Sequence, residues 1–305
     1  MIYTLTVNPA LDYVVQLDQI ALCATTRPPA EELHAGGKGI NVATVLHNLG
    51  VEVTALGFLA GFTGDVILSC MRRRGVRSDF IILPAGMTRI NVKMKMGVET
   101  EINGSGPDID LGSLQAMYTK LDTLGAGDIL VVSGSVPNTL PADLYERILA
   151  RLDGRGVEFV VDATGPLLEH ALSYRPFLIK PNHQELGVLC RRKLESWDYG
   201  TIATCAEELQ QRGARNVLVS MAGDGALLVT EDKKVLFQRA AAGTVQNSVG
   251  AGDSLVAGFL AGYQRTGDYA QALRLGCAAG GATAFSHSLA TGAEVEAVLA
   301  QLEEA

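Results

Sequence analysis

The stretch Asn247-Ser-Val-Gly250-Ala-Gly-Asp253-Ser-Leu-Val-Ala-Gly-Phe259 joins a Gly-Ala-Gly turn to an Asp and, at once, to a helical apolar pattern. Glycines let the backbone bend tightly and approach a ligand closely. A helix start leaves its first amides unpaired, and those amides together with the helix dipole seat an anion. An Asp at the rim of such a hole is useful mainly as a base, taking a proton from a hydroxyl while phosphate charge develops beside it. Alone, Gly250-Ala251-Gly252-Asp253 reads equally well as a capped helix after a Gly-rich turn. It does not stand alone. Near the other end of the chain, Ala35-Gly-Gly-Lys38-Gly-Ile-Asn41-Val-Ala is a second Gly-rich helix start, and two such elements fit a two-substrate site.

Between and around them, apolar runs at 2–7, 53–58, 129–133, 158–161, 177–180 and 217–221 alternate with helical spacing at 39–48, 65–74, 111–124, 142–152 and 203–212. That alternation predicts an α/β fold, a mostly parallel central sheet with helices on both faces. From Ala251 onward the pattern is nearly all helical. One segment departs from it. In 89–96, Arg89, Asn91, Lys93 and Lys95 share one face while Ile90, Val92, Met94 and Met96 share the other, the signature of a half-buried strand. The region 12–15 has similar β character and leads into a long irregular stretch up to Leu33. Together they predict a small β lid, formed by about 9–35 and 86–106, on a single domain spanning 1–305.

With 48% hydrophobic residues in 305, a large core needs no covalent staples. A formal charge of -8 argues against general nucleic-acid binding, so any anion must be met by a local cluster of cations and amides. The five cysteines, Cys23, Cys70, Cys190, Cys205 and Cys277, are scattered without a Cys-x-x-Cys and read as reduced thiols of a cytoplasmic protein. No basic-then-apolar leader and no apolar run of spanning length suggests a membrane.

Common nucleotide and hydrolase signatures fail. Gly37-Lys38 is followed by Gly39 where a Walker A loop needs Ser or Thr. No Gly-x-Gly-x-x-Gly follows the first strand, which disfavours a dinucleotide oxidoreductase. The five histidines lack metal-ligand spacing, and no Gly-x-Ser-x-Gly elbow occurs. What remains is a set of polar groups at strand ends: Asn8 and Asp12, Ser133 and Ser135, Lys180-Pro-Asn182-His-Gln-Glu185, and Ser220 with Ala222-Gly-Asp-Gly225 behind it. Each could be a loop cap. Jointly they mark one edge of the sheet, where open parallel sheets bind ligands.

This collection resembles the ribokinase-like (PfkB) family of carbohydrate kinases over essentially the whole chain. Gly36-Gly-Lys-Gly-Ile-Asn-Val-Ala43 is similar to that family's first signature and 247–258 to its second. Thr6-Val-Asn-Pro-Ala-Leu-Asp12, Thr88-Arg-Ile-Asn-Val-Lys93, Ser133-Gly-Ser-Val-Pro137 and 180–185 point within it to the 1-phosphofructokinase and tagatose-6-phosphate kinase branch, the first above the second. The resemblance implies ATP-dependent phosphorylation of a ketohexose monophosphate, fructose 1-phosphate to fructose 1,6-bisphosphate. Tagatose-6-phosphate kinase or 6-phosphofructokinase activity is the alternative, and a non-catalytic sugar-phosphate sensor is the reading from another class. The intact 250–253 segment disfavours the sensor.

The same resemblance implies roles. Asp253 is the base, and the amides of Ala251, Gly252 and Asp253, after Gly250, hold the transferring phosphoryl group. Asp12 and Asn41 bind sugar hydroxyls, with Gly37, Asn91 and Ser135 in the same pocket. Lys38 and Arg89 hold the phosphate already on the substrate, and Arg27 is a further candidate for that task. Lys180, Asn182, Ser220, Gly223, Gly225 and Ser248 line the nucleotide. Asn182 and Glu185 help place Mg²⁺, although as a pair they also read as a capping box. The small residues of 277–281 line the adenine pocket or serve close helix packing. Lid-to-lid homodimers are expected, with no nucleic-acid or membrane partner.

Overall fold

Each buried strand of this chain sends alternate side chains to opposite faces, and that alternation builds two cores. In the computed structural model, which describes residues 1–20, 23–96 and 99–304, the elements run β1 (Ile2–Thr6), β2 (Ala10–Gln16), β3 (Ala30–Gly36), α1 (Lys38–Asn48), β4 (Val53–Leu59), α2 (Gly61–Arg73), β5 (Ile81–Ile82), β6 (Arg89–Lys95), β7 (Glu99–Asn103) and α3 (Leu111–Leu121). They continue with β8 (Ile129–Ser133), α4 (Leu144–Leu152), β9 (Glu158–Asp162), α5 (Pro166–Ala171), β10 (Leu178–Ile179), α6 (His183–Leu189), α7 (Tyr199–Gln211), β11 (Asn216–Ser220), β12 (Ala226–Val229), β13 (Val235–Gln238), α8 (Ala251–Thr266), α9 (Tyr269–Ala284) and α10 (Gly292–Glu304).

The described residues form a nine-stranded sheet in the order β13-β12-β11-β10-β9-β8-β1-β4-β5. It is parallel from β11 to β5, and β12 and β13 add an antiparallel edge. Val131 and Val160 pack with α1, α2, α8, α9 and α10 on one face. Leu130, Val132, Phe159 and Val161 pack with α3, α4, α5, α6 and α7 on the other. The expected architecture is therefore observed, a mostly parallel sheet sandwiched by helices.

A second sheet, ordered β3-β2-β6-β7, stands over the carboxyl end of β1. It contains the alternating strand read at 89–96. The stretch expected to be irregular up to Leu33 instead holds β3, paired with β2 along its whole length. Its sequence, Ala-Glu-Glu-Leu-His-Ala-Gly, has no strand alternation, and hydrogen bonding to β2 imposes the conformation. Sequence spacing also missed the first turns of two helices. α2 starts at Gly61, and α7 starts at Tyr199 because the Asp198 side chain accepts from the Thr201 amide. The faces of β6 fall as the alternation predicts, and the polar face is the one turned inward. Asn91 and Lys93 are each 8% exposed, whereas Val92 and Met94 are half-exposed.

Candidate active site

Two helix N-termini meet at the carboxyl end of the large sheet. Gly250, at φ 82, turns the chain into α8 with no side-chain cap. A Cβ there would fall 2.7 Å from Leu289 Cδ2 in a backbone conformation L residues avoid, so glycine is required. Of the three amides expected to face a phosphoryl group, that of Ala251 donates to Ser248 O at 3.2 Å, and those of Gly252 and Asp253 make no hydrogen bond among the described residues. Asn247 holds the approach to this turn by accepting from the Val249 amide and donating to His287 O. α1 starts in the same manner. Gly37, at φ 121, precedes it without a side-chain cap, and a Cβ there would meet Thr6 Cγ2 at 2.8 Å. Asn41 Nδ2 then donates to Asp253 Oδ2 at 2.8 Å, so the first turns of both helices share one bond.

Beneath that bond lies a buried ion cluster. Asp162 ends β9 and is 1% exposed. Its Oδ1 takes Lys38 Nζ at 2.9 Å and Lys180 Nζ at 3.4 Å, while Oδ2 is shielded and has no partner among the described residues. Burial alone would raise the Asp162 carboxyl, but Lys180 and Lys38 overcome it and hold its pKa below the usual range. Asp253 has the opposite balance. Burial, reinforced by the negative charge of Asp162, pushes it up to about 6 against the pull of Lys38, Asn41 and Lys180. Burial works against the charge on Lys38, yet Asp162 and Asp253 keep its pKa raised. Lys180 also reaches the helix start, since a Cβ on Gly252 would stand 3.5 Å from Lys180 Nζ. Thr6, Ser133 and Asp162 are register partners across β1, β8 and β9, and Thr6 Oγ1 and Ser133 Oγ are likewise buried without partners.

The small sheet supplies the other wall. Asn91 Nδ2 donates to Asp12 Oδ1 at 2.8 Å, and Lys93 Nζ lies 3.8 Å from Asp12 Oδ2 and 3.1 Å from Glu101 Oε1. Burial raises the pKa of Asp12 against Lys93 and Asn91. Arg89 is lowered by burial and donates to the carbonyls of Asn8 and Gly104. A cavity of about 50 Å³ lined by Asp12, Asn41 and Lys93 opens into the cleft under this sheet. A larger one, about 490 Å³, lies between the outer half of the sheet and residues 244–247.

On the far side, Asn182 and Glu185 form a complete capping box at α6, each side chain bonded to the other's backbone amide at 2.8 Å. The pair by itself reads as a helix entry, and the family resemblance implies a metal role for it. The cap occupies Asn182 Oδ1 and Glu185 Oε2, and Glu185 Oε1 makes no hydrogen bond among the described residues. Among the described residues, no group of three His, Cys, Asp or Glu side chains could cage a metal. Mg²⁺ commonly takes one or two carboxylates together with substrate phosphates, and the orphaned Asp162 Oδ2 with the spare oxygen of Glu185 fits that mode.

Ser220 is half-buried and bridged to Asn182. Gly223 is exposed with open space beside it, whereas Gly225 is buried against Gln238 O. Ser248 is exposed just ahead of the α8 turn. Among the small residues of α9, Gly280 lies against Ala251 O, where a Cβ would come to 3.1 Å, so helix packing uses at least this one.

Two expected residues are not brought into the cluster. Ser135 is exposed beyond the end of β8. Arg27 is exposed in the loop past Gln16↔Ala30, the last pair of the β2–β3 hairpin. That pair is four residues from Asp12, about 13 Å along an extended strand. Conversely, Asp162 was missed and Lys93 was read only as part of a polar face. Asp162 carried the same signal as Ser133, a polar residue closing an apolar strand.

The pfkB family carbohydrate kinase profile matches residues 6–296. The chain is 42% identical to 1-phosphofructokinase of Bacillus subtilis, over 99% of both chains. It is 35% identical to D-tagatose-1-phosphate kinase of Bacillus licheniformis, again over 99% of each. Phosphofructokinase-2 from Escherichia coli, solved in complex with substrates and products, superposes with a TM-score of 0.92 at 28% identity over 99% of both chains.

Proposed function

Because the chain belongs to the pfkB family of carbohydrate kinases, we propose that it transfers the γ-phosphoryl group of ATP to the free primary hydroxyl of fructose 1-phosphate, giving fructose 1,6-bisphosphate and ADP. The observation that carries this reading is a buried carboxylate, Asp253, beside two unbonded amides at a helix N-terminus. Asp253 takes the hydroxyl proton. The resulting oxygen attacks the γ-phosphorus, and the bond from that phosphorus to the β–γ bridging oxygen breaks. The amides of Gly252 and Asp253, with Lys38 and Lys180, face the charge on the phosphoryl oxygens. A pKa of about 6 suits the task, since Asp253 is ionised at neutral pH yet basic enough to accept a proton.

Asp12, Asn91 and Asn41 read the sugar hydroxyls. Arg89, whose remaining terminal nitrogen is unspent, takes part in holding the phosphate already on the sugar. Lys38 is assigned here to the transferring phosphoryl group instead, because its partner is Asp162. Mg²⁺, when bound, draws charge from the β- and γ-phosphate oxygens. Asp162 and Glu185 would hold it. The 490 Å³ cavity under the small sheet suits a lid that closes over the sugar and excludes water. Two such lids meeting through their outer faces would make a homodimer. The match to bacterial 1-phosphofructokinases supports a cytoplasmic enzyme.

The B. licheniformis relative supports tagatose 1-phosphate as a second acceptor, rather than the 6-phosphate suggested by sequence signatures. ATP consumption with Mg²⁺ and a panel of ketose 1- and 6-phosphates tests both. The highest kcat/KM is expected with fructose 1-phosphate. Turnover of none of the panel would end the kinase reading, and a preference for 6-phosphates would end the regiochemical one.

A further inference from the structure

Arg74 follows the last residue of α2, and its helix end does not need its side chain. The amides of Arg74, Gly75 and Val76 donate to the carbonyls of Cys70, Arg72 and Met71, which closes the helix with backbone alone. Arg72 and Arg73, exposed on the last turn, already complement the helix dipole. Arg74 turns the other way. It is half-buried and lines the 50 Å³ cavity with Asp12, Asn41 and Lys93. Its Nη1 is shielded from solvent, and its guanidinium makes no hydrogen bond or ion pair among the described residues. Leaving a shielded guanidinium nitrogen unpaired is costly.

Asp12, the carboxylate lining the same cavity, is engaged elsewhere, as are Glu31 and Glu32 on the adjoining strand β3. Asp12 holds Asn91 and Lys93, Glu32 holds His34, and Glu31 accepts from Tyr13. Most of the other cations at the site are committed; the exceptions are one terminal nitrogen of Arg89 and Lys95, which lines the same cavity and has no ion pair among the described residues. Lys38 and Lys180 hold Asp162, Lys93 holds Glu101, and Arg89 donates twice to backbone carbonyls. Arg74 is thus an uncommitted bidentate donor facing the cavity of the sugar-binding residues, on an element that no motif of the sequence marks.

We propose that Arg74 is a specificity-determining residue that binds the phosphate already carried by the acceptor, from the α2 side of the cavity. The proposal rests on the kinase reading of the same site and adds to Arg89 a second cation for the phosphate that distinguishes the acceptor from the free sugar. A planar guanidinium fork matches a phosphoryl dianion, and bringing the two together satisfies the orphaned nitrogen.

The test has one arm without turnover. Thermal-shift titration with inorganic phosphate should show binding weakened about tenfold or more in Arg74→Met relative to wild type. Arg74→Lys should fall between them, and Arg73→Met, exposed on the same turn, should match wild type. In assays with ATP, Arg74→Met should raise KM for fructose 1-phosphate by about 10- to 100-fold, with KM for ATP nearly unchanged and turnover of unphosphorylated fructose unaffected. A phosphate titration of either Arg74 variant that overlays wild type overturns the proposal. So does an equal loss with phosphorylated and free sugar, which would mark a structural role. Failure of wild type to phosphorylate any ketose phosphate would count against the kinase reading, while the titration still decides the fate of Arg74.

Discussion

Asn41 Nδ2 donates to Asp253 Oδ2 across 2.8 Å, bonding the third residue of α8 to the first turn of α1, 212 positions earlier in the chain. The bond fixes one carboxylate oxygen and leaves the other for a proton. It also sets the two helix starts against each other, so their free amides face one volume. Both positive helix ends favour an ionised Asp253. Burial and the neighbouring Asp162 outweigh them, and the carboxyl stands near 6.

Replacing Asp253 by Asn should therefore separate activity from stability. As the base is lost, kcat should fall by roughly 10²–10⁴. Folded Asp253 keeps its proton up to about 6, whereas the unfolded group releases it near 3.8. Between those values the folded state binds more protons, so the contribution of this residue to stability falls as pH rises through that window. Above it, wild type bears the whole penalty and Asn bears none. Denaturant melts at about pH 8 should show Asp253→Asn more stable by about 1–3 kcal/mol, with the gap closing near pH 4. Near-normal kcat would remove Asp253 as the base, and a variant less stable at pH 8 would contradict the raised carboxyl.

The acidic limb of kcat/KM should respond in opposite directions to two neighbours. Wild type should lose activity as pH falls below about 6, where Asp253 takes up its proton. The Asn41 bond favours the carboxylate, so Asn41→Leu should move the limb to higher pH. The charge on Asp162 disfavours it, so Asp162→Asn should move the limb to lower pH, although kcat drops in both. Limbs that stay put, or move together, would show that another group controls the profile.

The outer face of the small sheet carries a cross-strand row of Leu33, Tyr13, Val92 and Ile102, matched by register. Leu33 is 50% and Ile102 61% exposed. A small sheet is marginal unless such a face is covered, and a two-fold copy meets it with itself. Val92→Glu should give monomers with weakened sugar-phosphate binding. Light scattering across a dilution series measures it, and a wild-type monomer at ~1 μM that keeps full activity would exclude a functional dimer.

Local pattern alone identified the buried parallel strands of the large sheet, because runs such as Ile129-Leu-Val-Val-Ser133 are apolar on both faces and only a covered parallel sheet accepts them, but it passed over the buried antiparallel strand β12. It also singled out Asp253, Lys38 and Asn41, because glycine spacing before a helix is a short-range signal. Strand β3 was not legible: nothing in Glu31-Glu-Leu-His34 favours a strand until β2 pairs with it. The reach of Arg74 was equally hidden, since the direction of one side chain at a helix end depends on what packs beyond it. Asp162 shows the limit most clearly. In sequence it is one more polar residue at a strand end, and only β8–β9 pairing and the approach of α1 and α8 bring two lysines and a second carboxylate around it. Burial and long-range charge then set one carboxyl low and the other high. The sequence by itself determined which residues could carry the chemistry; which of them share a low-dielectric volume, and so which carboxyl is raised and which lowered, was decided by tertiary structure, because pKa depends on neighbours that chain order does not encode.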